Sequence, residues 1–229
     1  MFGGGFLDAI EERIGAKGRV RILDAGCGHG VAMLELVKRF GERVELVGFN
    51  YSRRHGDPRL MRREALRKGL FSEDEYRRLG NKPRFAYLDA SERLPFASGS
   101  FDFIYSMSAI YLFEDKARFF EECNRILRKG GLAGLEAAYR DGKQPKEYSY
   151  PWEIWDGGKR VAPEDYFARF AGIRIGKDGD VLGIEFRKRP RLDLGLKLIA
   201  AIDSNLIWHR WMGVKSIYTT QKKFEPYWR

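Results

Sequence analysis

The chain has 229 residues, 44% hydrophobic and 32% charged, with a formal net charge of +10. That is enough for one domain with a real core, and the balance excludes a disordered or membrane-spanning polypeptide. Two cysteines, Cys27 and Cys123, exclude a disulfide framework or a zinc site.

The most apolar span, 192–212, contains Asp193, Lys197, Asp203 and Asn205, which a bilayer would not accept cheaply. No N-terminal stretch has a signal-peptide pattern, so a cytoplasmic protein with no membrane span is expected. The positive charge is local. Residues 51–84 hold eleven Lys/Arg against five Asp/Glu, a surplus of six. Residues 187–229 hold ten against three, a surplus of seven, so the remainder sums to −3.

Residues 6–14 read as an opening helix and 20–23 as a short apolar strand. Residues 31–40 have helical spacing, with Gly41 placed to end them. Residues 44–49 form the next strand and lead into Asn50-Tyr51-Ser52. The basic segment follows, helical over 58–68 and 73–79. Residues 84–88 form a third strand that stops at Asp89, and 101–106 form a fourth, almost continuously apolar as a buried parallel strand should be. Asp115 reads as an N-cap for a helix whose apolar face is Phe119, Phe120, Cys123, Ile126 and Leu127, ended by Gly130-Gly131. Residues 132–137 are a fifth strand. Residues 139–162 look irregular and aromatic, 163–170 a short helix, 173–187 a hairpin turning at 177–180, and the tail from Leu192 helical.

Strands alternating with helices at this spacing predict an α/β fold: a Rossmann-like, doubly wound, mostly parallel sheet with a C-terminal β-hairpin and a helical tail. A single domain over 1–229 is expected. It carries a basic helical insertion at 51–84, an aromatic substrate loop at 139–162 and a basic helical extension at 188–229.

The first strand ends in Leu23-Asp24-Ala25-Gly26-Cys27-Gly28-His29-Gly30. Glycine permits positive φ and removes the Cβ that would hold a ligand off the backbone, and the helix that follows presents unpaired amides to an anionic group. The dinucleotide frame G-x-G-x-x-G fails here, because its third place falls on Val31 or Met33. The turn resembles the first motif of class I S-adenosylmethionine-dependent methyltransferases. The later blocks follow in that family's order and match its type 11 subgroup. They are Asp89-Ala90-Ser91-Glu92-Arg93-Leu94-Pro95-Phe96, Gly99-Ser100-Phe101-Asp102 and Leu127-Arg128-Lys129-Gly130-Gly131. The resemblance covers about 20–137.

The resemblance implies S-adenosylmethionine as cofactor and assigns roles residue by residue. Gly26, Gly28 and Gly30 would run beside its methionine part, and Asp24 would orient the turn and help hold the ammonium. Asp89 would accept from the adenine amino group, with the Ala90 amide facing the ring. Ser106 and Met107 would line the pocket near the sulfonium. Asp24 and Asp89 also fit turn residues that bond their own loops. The family usually ends its second strand with Asp or Glu, which accepts from both ribose hydroxyls. Asn50 stands there in this chain, and an amide can pair with both hydroxyls by donating to one.

Methyl transfer asks the protein mainly to align an acceptor lone pair and exclude water, with a general base only where a proton must leave. Tyr111 and Glu136 follow the fourth and fifth strands and are the candidate bases; His29 fits a loop-structuring role and His55 a surface one. Three scattered histidines argue against a metal. The acceptor is a small molecule or RNA. The arginine pairs of the basic segment suit phosphates or a solvated helix face, and Tyr148, Tyr150, Trp152 and Trp155 suit stacking, an apolar acceptor or packing of the tail onto the sheet. A non-catalytic methyltransferase-fold RNA-binding or partner subunit is the alternative.

Overall fold

Strand β4 (Phe101–Ser106) is buried at all six positions, which only a strand covered on both faces can be. It lies inside a seven-stranded sheet of order β3-β2-β1-β4-β5-β9-β8 in a computed structural model. The structure describes residues 4–107, 109–110, 113, 116–138, 154–156, 159–161, 165, 173–178 and 181–188. Strands β1 (Val20–Ala25), β2 (Val44–Asn50), β3 (Arg84–Tyr87), β4 and β5 (Leu127–Ala138) are parallel. The hairpin β8 (Ile173–Asp178) and β9 (Val181–Arg187) adds antiparallel to β5. This is the doubly wound α/β sheet that the alternation of elements predicts.

Side chains alternate across each strand, so the two faces carry different sets. Val20 and Ile22 of β1, Val44 and Leu46 of β2, and Phe103 and Tyr105 of β4 meet helix α1 (Gly4–Lys17) and helix α2 (Val31–Phe40). Leu23 and Ala25, Val47 and Phe49, and Ile104 turn the other way, onto Phe119, Phe120, Cys123 and Ile126 of helix α5 (Lys116–Ile126). Each such fully buried Phe, Ile or Leu contributes roughly 2 kcal/mol. The helices change face between β1 and β4, so the sheet order reverses there. That reversal opens a crevice at the carboxyl ends of those strands.

The basic segment is the crossover from β2 to β3. Asp57 caps helix α3 (Pro58–Arg67) by accepting from the Arg59 and Leu60 amides, and Ser72 and Glu75 form a capping box on helix α4 (Glu73–Arg78). Met61, Ala65 and Tyr76 pack onto Leu34 of α2. Within the segment Arg62 pairs with Glu73 at 2.5 Å, Arg67 with Glu64 at 2.5 Å and Arg77 with Glu73 at 3.5 Å.

Two expectations need correction. Strand β5 begins at Leu127, not Leu132, because Leu127 pairs with Phe101 before a bulge resets the register to Phe103 with Leu132. The stretch read as irregular contains a small antiparallel pair, β6 (Ile154–Asp156) and β7 (Lys159–Val161). The rest of 139–162, the tail from Leu192 and, except for helical Asp165, the helix at 163–170 lie outside the described residues. No helix among the described residues is long and apolar enough to cross a membrane.

Candidate active site

The crevice is built on the turn that leaves β1. Its first amides are held by β2, since Gly26 and Cys27 both donate to the Phe49 carbonyl at 2.9 and 3.1 Å. The three glycines then do different work. A Cβ on Gly26, at φ 74, would stand 2.3 Å from the Ala109 Cβ, so the segment after β4 lies directly on the turn. A Cβ on Gly30 would meet Met33, Met61 and Phe85 at 3.0 to 3.1 Å. Gly28, at φ 51, has nothing among the described residues within 4 Å of where its Cβ would be. Two of the glycines make room for the protein itself, and among the described residues nothing covers Gly28.

Asp24 is the Cα partner of Tyr105 across β1 and β4, and both side chains project toward the α1 and α2 face. Tyr105 donates to Asp24 Oδ2 at 2.8 Å. Burial pushes the Asp24 carboxyl up to about 7, and the Tyr105 hydrogen bond opposes that shift. Burial and the Asp24 charge also push the Cys27 thiol far up, so it stays protonated.

Asn50 ends β2 and is 3% exposed. Its Oδ1 accepts from the Gly28 amide at 2.8 Å, and its Nδ2 donates to the Gly28 carbonyl at 2.9 Å and the Gly56 carbonyl at 3.4 Å. Asp89 makes a local turn, accepting from the Ser91 amide on Oδ1 at 2.8 Å. Ala90 is buried beside Leu94 in the α5-side core. The Ser106 hydroxyl is wholly buried and donates to the Ala25 carbonyl at 2.8 Å, tying the ends of β1 and β4 together. Met107 is half-buried against the α1 and α2 core.

The loop after Asp89 is fixed from α5. Glu122 accepts from the Leu94 amide at 2.8 Å, and Arg125 pairs with both Glu122 oxygens at 2.8 and 2.6 Å while donating to the Leu94 and Phe96 carbonyls at 2.8 Å. Among the candidate bases, Tyr111 and the Glu136 side chain lie outside the described residues, although Glu136 pairs with Gly183 in the sheet. His29 stands 3.9 Å from Glu64 on α3, and His55 contacts Ser52 at 3.4 Å. Among the described residues no cluster of His, Cys, Asp or Glu could hold a metal ion.

Residues 23–135 match the family model of the methyltransferase domain. The chain carries a methyltransferase domain of the class I S-adenosylmethionine-dependent family. The domain is 29% identical over 126 residues to the sterol 24-C-methyltransferase ERG6B of Gibberella zeae, covering 55% of this chain and 30% of that one. It is 28% identical over 134 residues to the chloroplastic tocopherol O-methyltransferase of Arabidopsis thaliana, covering 58% and 34%. The chain therefore spans about a third of the length of these curated relatives. A SAM-dependent methyltransferase structure from Aquifex aeolicus aligns over 82% of this chain and 94% of that one, at 17% identity and a TM-score of 0.49.

Gly48, Gly56 and Ala109 pack against the glycine turn, although sequence reasoning passed over them. A Cβ on Gly48 would stand 2.6 Å from the Cys27 Sγ, and one on Gly56 would stand 1.8 Å from the Gly28 carbonyl oxygen. The legible signal was a glycine inside the apolar run of β2, which marks a close approach.

Proposed function

We propose that the domain binds S-adenosylmethionine in the crevice above Gly28 and transfers its methyl group to a small organic acceptor with an apolar body. The observation that carries the reading is the left-handed, open backbone at Gly28, at the carboxyl end of β1 where the sheet order reverses. The residues present fit the cofactor: a Cβ-free main chain for the methionine part, a buried carboxylate for its ammonium and an acidic residue after β3 for the adenine. Bound there, the cofactor supplies a methyl carbon already activated by positive sulfur.

The chain's own residues supply position. Asp24 would hold the ammonium through its carboxylate, whose Oδ2 takes the Tyr105 hydroxyl, and the charged form would be favoured in that contact. Asp89 would accept from the adenine amino group, with the Ala90 amide facing the ring. Ser106 holds the Ala25 carbonyl in place, Met107 would line the wall near the sulfur, and Gly26 and Gly30 shape the turn. Tyr111 and Glu136 remain the candidates for taking a proton from the acceptor. The names of the relatives, a sterol and a tocopherol methyltransferase, favour an apolar small molecule over RNA.

Calorimetric titration of the full chain with S-adenosylmethionine tests the cofactor step. Binding is expected, and no heat at about millimolar ligand would sink the reading. Mass spectrometry after incubation of prenyl-quinol, sterol and RNA pools with isotopically labelled cofactor tests the acceptor, and label only in RNA would overturn the small-molecule choice.

A further inference from the structure

Asn50 presents a complete amide edge to a single residue. Its oxygen takes the Gly28 N–H and its nitrogen gives to the Gly28 C=O, at 2.8 and 2.9 Å. Reversing the amide would set donor against donor and acceptor against acceptor, so the pairing fixes its orientation. The nitrogen's second hydrogen points to the Gly56 carbonyl at 3.4 Å, and Gly56 lies so close to the turn that only hydrogen fits between them. Gly56 follows the 3-10 turn Arg53–His55, the first element of the basic crossover. The turn after β1 and the start of the basic crossover therefore meet on one buried side chain.

A carboxylate cannot make this contact. One oxygen would accept from Gly28, but the other would face two carbonyl oxygens with no hydrogen to offer. The same geometry engages both donors of Asn50 within the protein, so they are not presented to a ribose.

We propose that Asn50 is a positioning residue, a clasp that holds the Gly28 peptide and the start of the basic crossover in the conformation that receives the cofactor. It explains why an amide stands where the family resemblance leads one to expect an acid. The inference rests on the crevice above Gly28 being the cofactor site.

Hydrogen exchange by NMR on the cofactor-free chain reads the clasp directly. The Gly28 amide is expected to be protected and to exchange about tenfold faster in Asn50→Ala. Equal exchange in the two proteins overturns the clasp whether or not any cofactor binds. Titration with S-adenosylhomocysteine reads the consequence: Asn50→Asp binds about tenfold more weakly than the native chain, and Gly56→Ala weakens binding in the same direction. Asn50→Asp binding as tightly as native, or tighter, overturns the proposal. The 2′-deoxy analogue of that ligand separates the two roles. The loss caused by Asn50→Ala is the same for both ligands if Asn50 acts through the turn, and vanishes for the analogue if the amide holds the hydroxyl. Circular dichroism confirms that each variant is folded, and Asn50→Ala with Gly56→Ala carries the test if Asn50→Asp is not. A native chain that binds neither ligand sinks the cofactor reading and leaves the clasp to the Gly28 exchange result.

Discussion

Tyr105 donates its hydroxyl to Asp24 across neighbouring parallel strands at 2.8 Å, with both side chains shut away from water. The carboxyl's value near 7 is higher than that of the unfolded chain, so the folded protein keeps a proton there that the unfolded chain sheds. Asp24 therefore contributes stability in full below about pH 4, and that contribution fades as the pH rises through 7.

Cofactor binding should run the other way. An ammonium brought against Asp24 favours the charged form, so affinity is expected to rise between pH 5.5 and 7.5, by up to about tenfold per pH unit. Titrations in buffers of different ionisation enthalpy should register proton release over the same range. Asp24→Asn should flatten the profile, and Tyr105→Phe, which removes the bond opposing the upward shift, should move its midpoint to higher pH.

Gly26 and Gly28 should separate stability from binding. Gly26→Ala drives a methyl into Ala109 at a left-handed backbone position, and a loss of about 2–3 kcal/mol is expected in denaturant melts. Gly28→Ala meets no atom of the described residues and should cost only about 1 kcal/mol, yet it places a methyl above the turn. Calorimetry should show cofactor affinity falling far more than stability.

Asp102 gathers Arg128 at 2.7 Å, Lys17 at 3.1 Å, Arg13 at 3.5 Å and the Arg21 amide at 3.0 Å around a fully buried carboxylate. Burial pushes its carboxyl up, but the Arg21 amide, Lys17 and Arg128 outweigh that and hold it below the usual range. The stability it contributes is present above about pH 4 and is lost as the pH falls through its lowered value. Asp102→Asn is expected to lower stability by about 2 kcal/mol at neutral pH, with the gap to native closing in acid.

Arg125 joins α5 to the loop behind Asp89. Arg125→Ala leaves Glu122 without its partner and the Leu94 and Phe96 carbonyls without a donor. A loss of about 2 kcal/mol and a cofactor affinity about fivefold lower are expected. An unchanged affinity would mean that the loop's placement does not matter to the adenine side.

The strands and helices were readable because their signals are local. Apolar runs, Gly41 and the Pro58 start each lie within a few residues of the element they delimit. Asp24, the glycines and Asp89 were legible for the same reason, as motif residues in fixed frames. What they touch was not. Tyr105 is 81 positions from Asp24, and nothing near either residue encodes the strand register that joins them. The need for glycine at 26, 48 and 56 comes from Ala109, Cys27 and the Gly28 carbonyl, contacts that exist only after the chain has folded. Gly130-Gly131 misled for a related reason. The pair reads as a helix stop, yet Gly131 is small because a Cβ would stand 2.8 Å from the Asp102 carbonyl oxygen.

The wall opposite the glycine turn belongs to a strand synthesised some eighty residues later than the turn. Closing so long a loop is entropically slow, so a nascent chain carries half a crevice until β4 docks beside β1. Order of assembly thus sets when the protein can first hold its ligand, and shortfalls in folding will register there before they register in helix content.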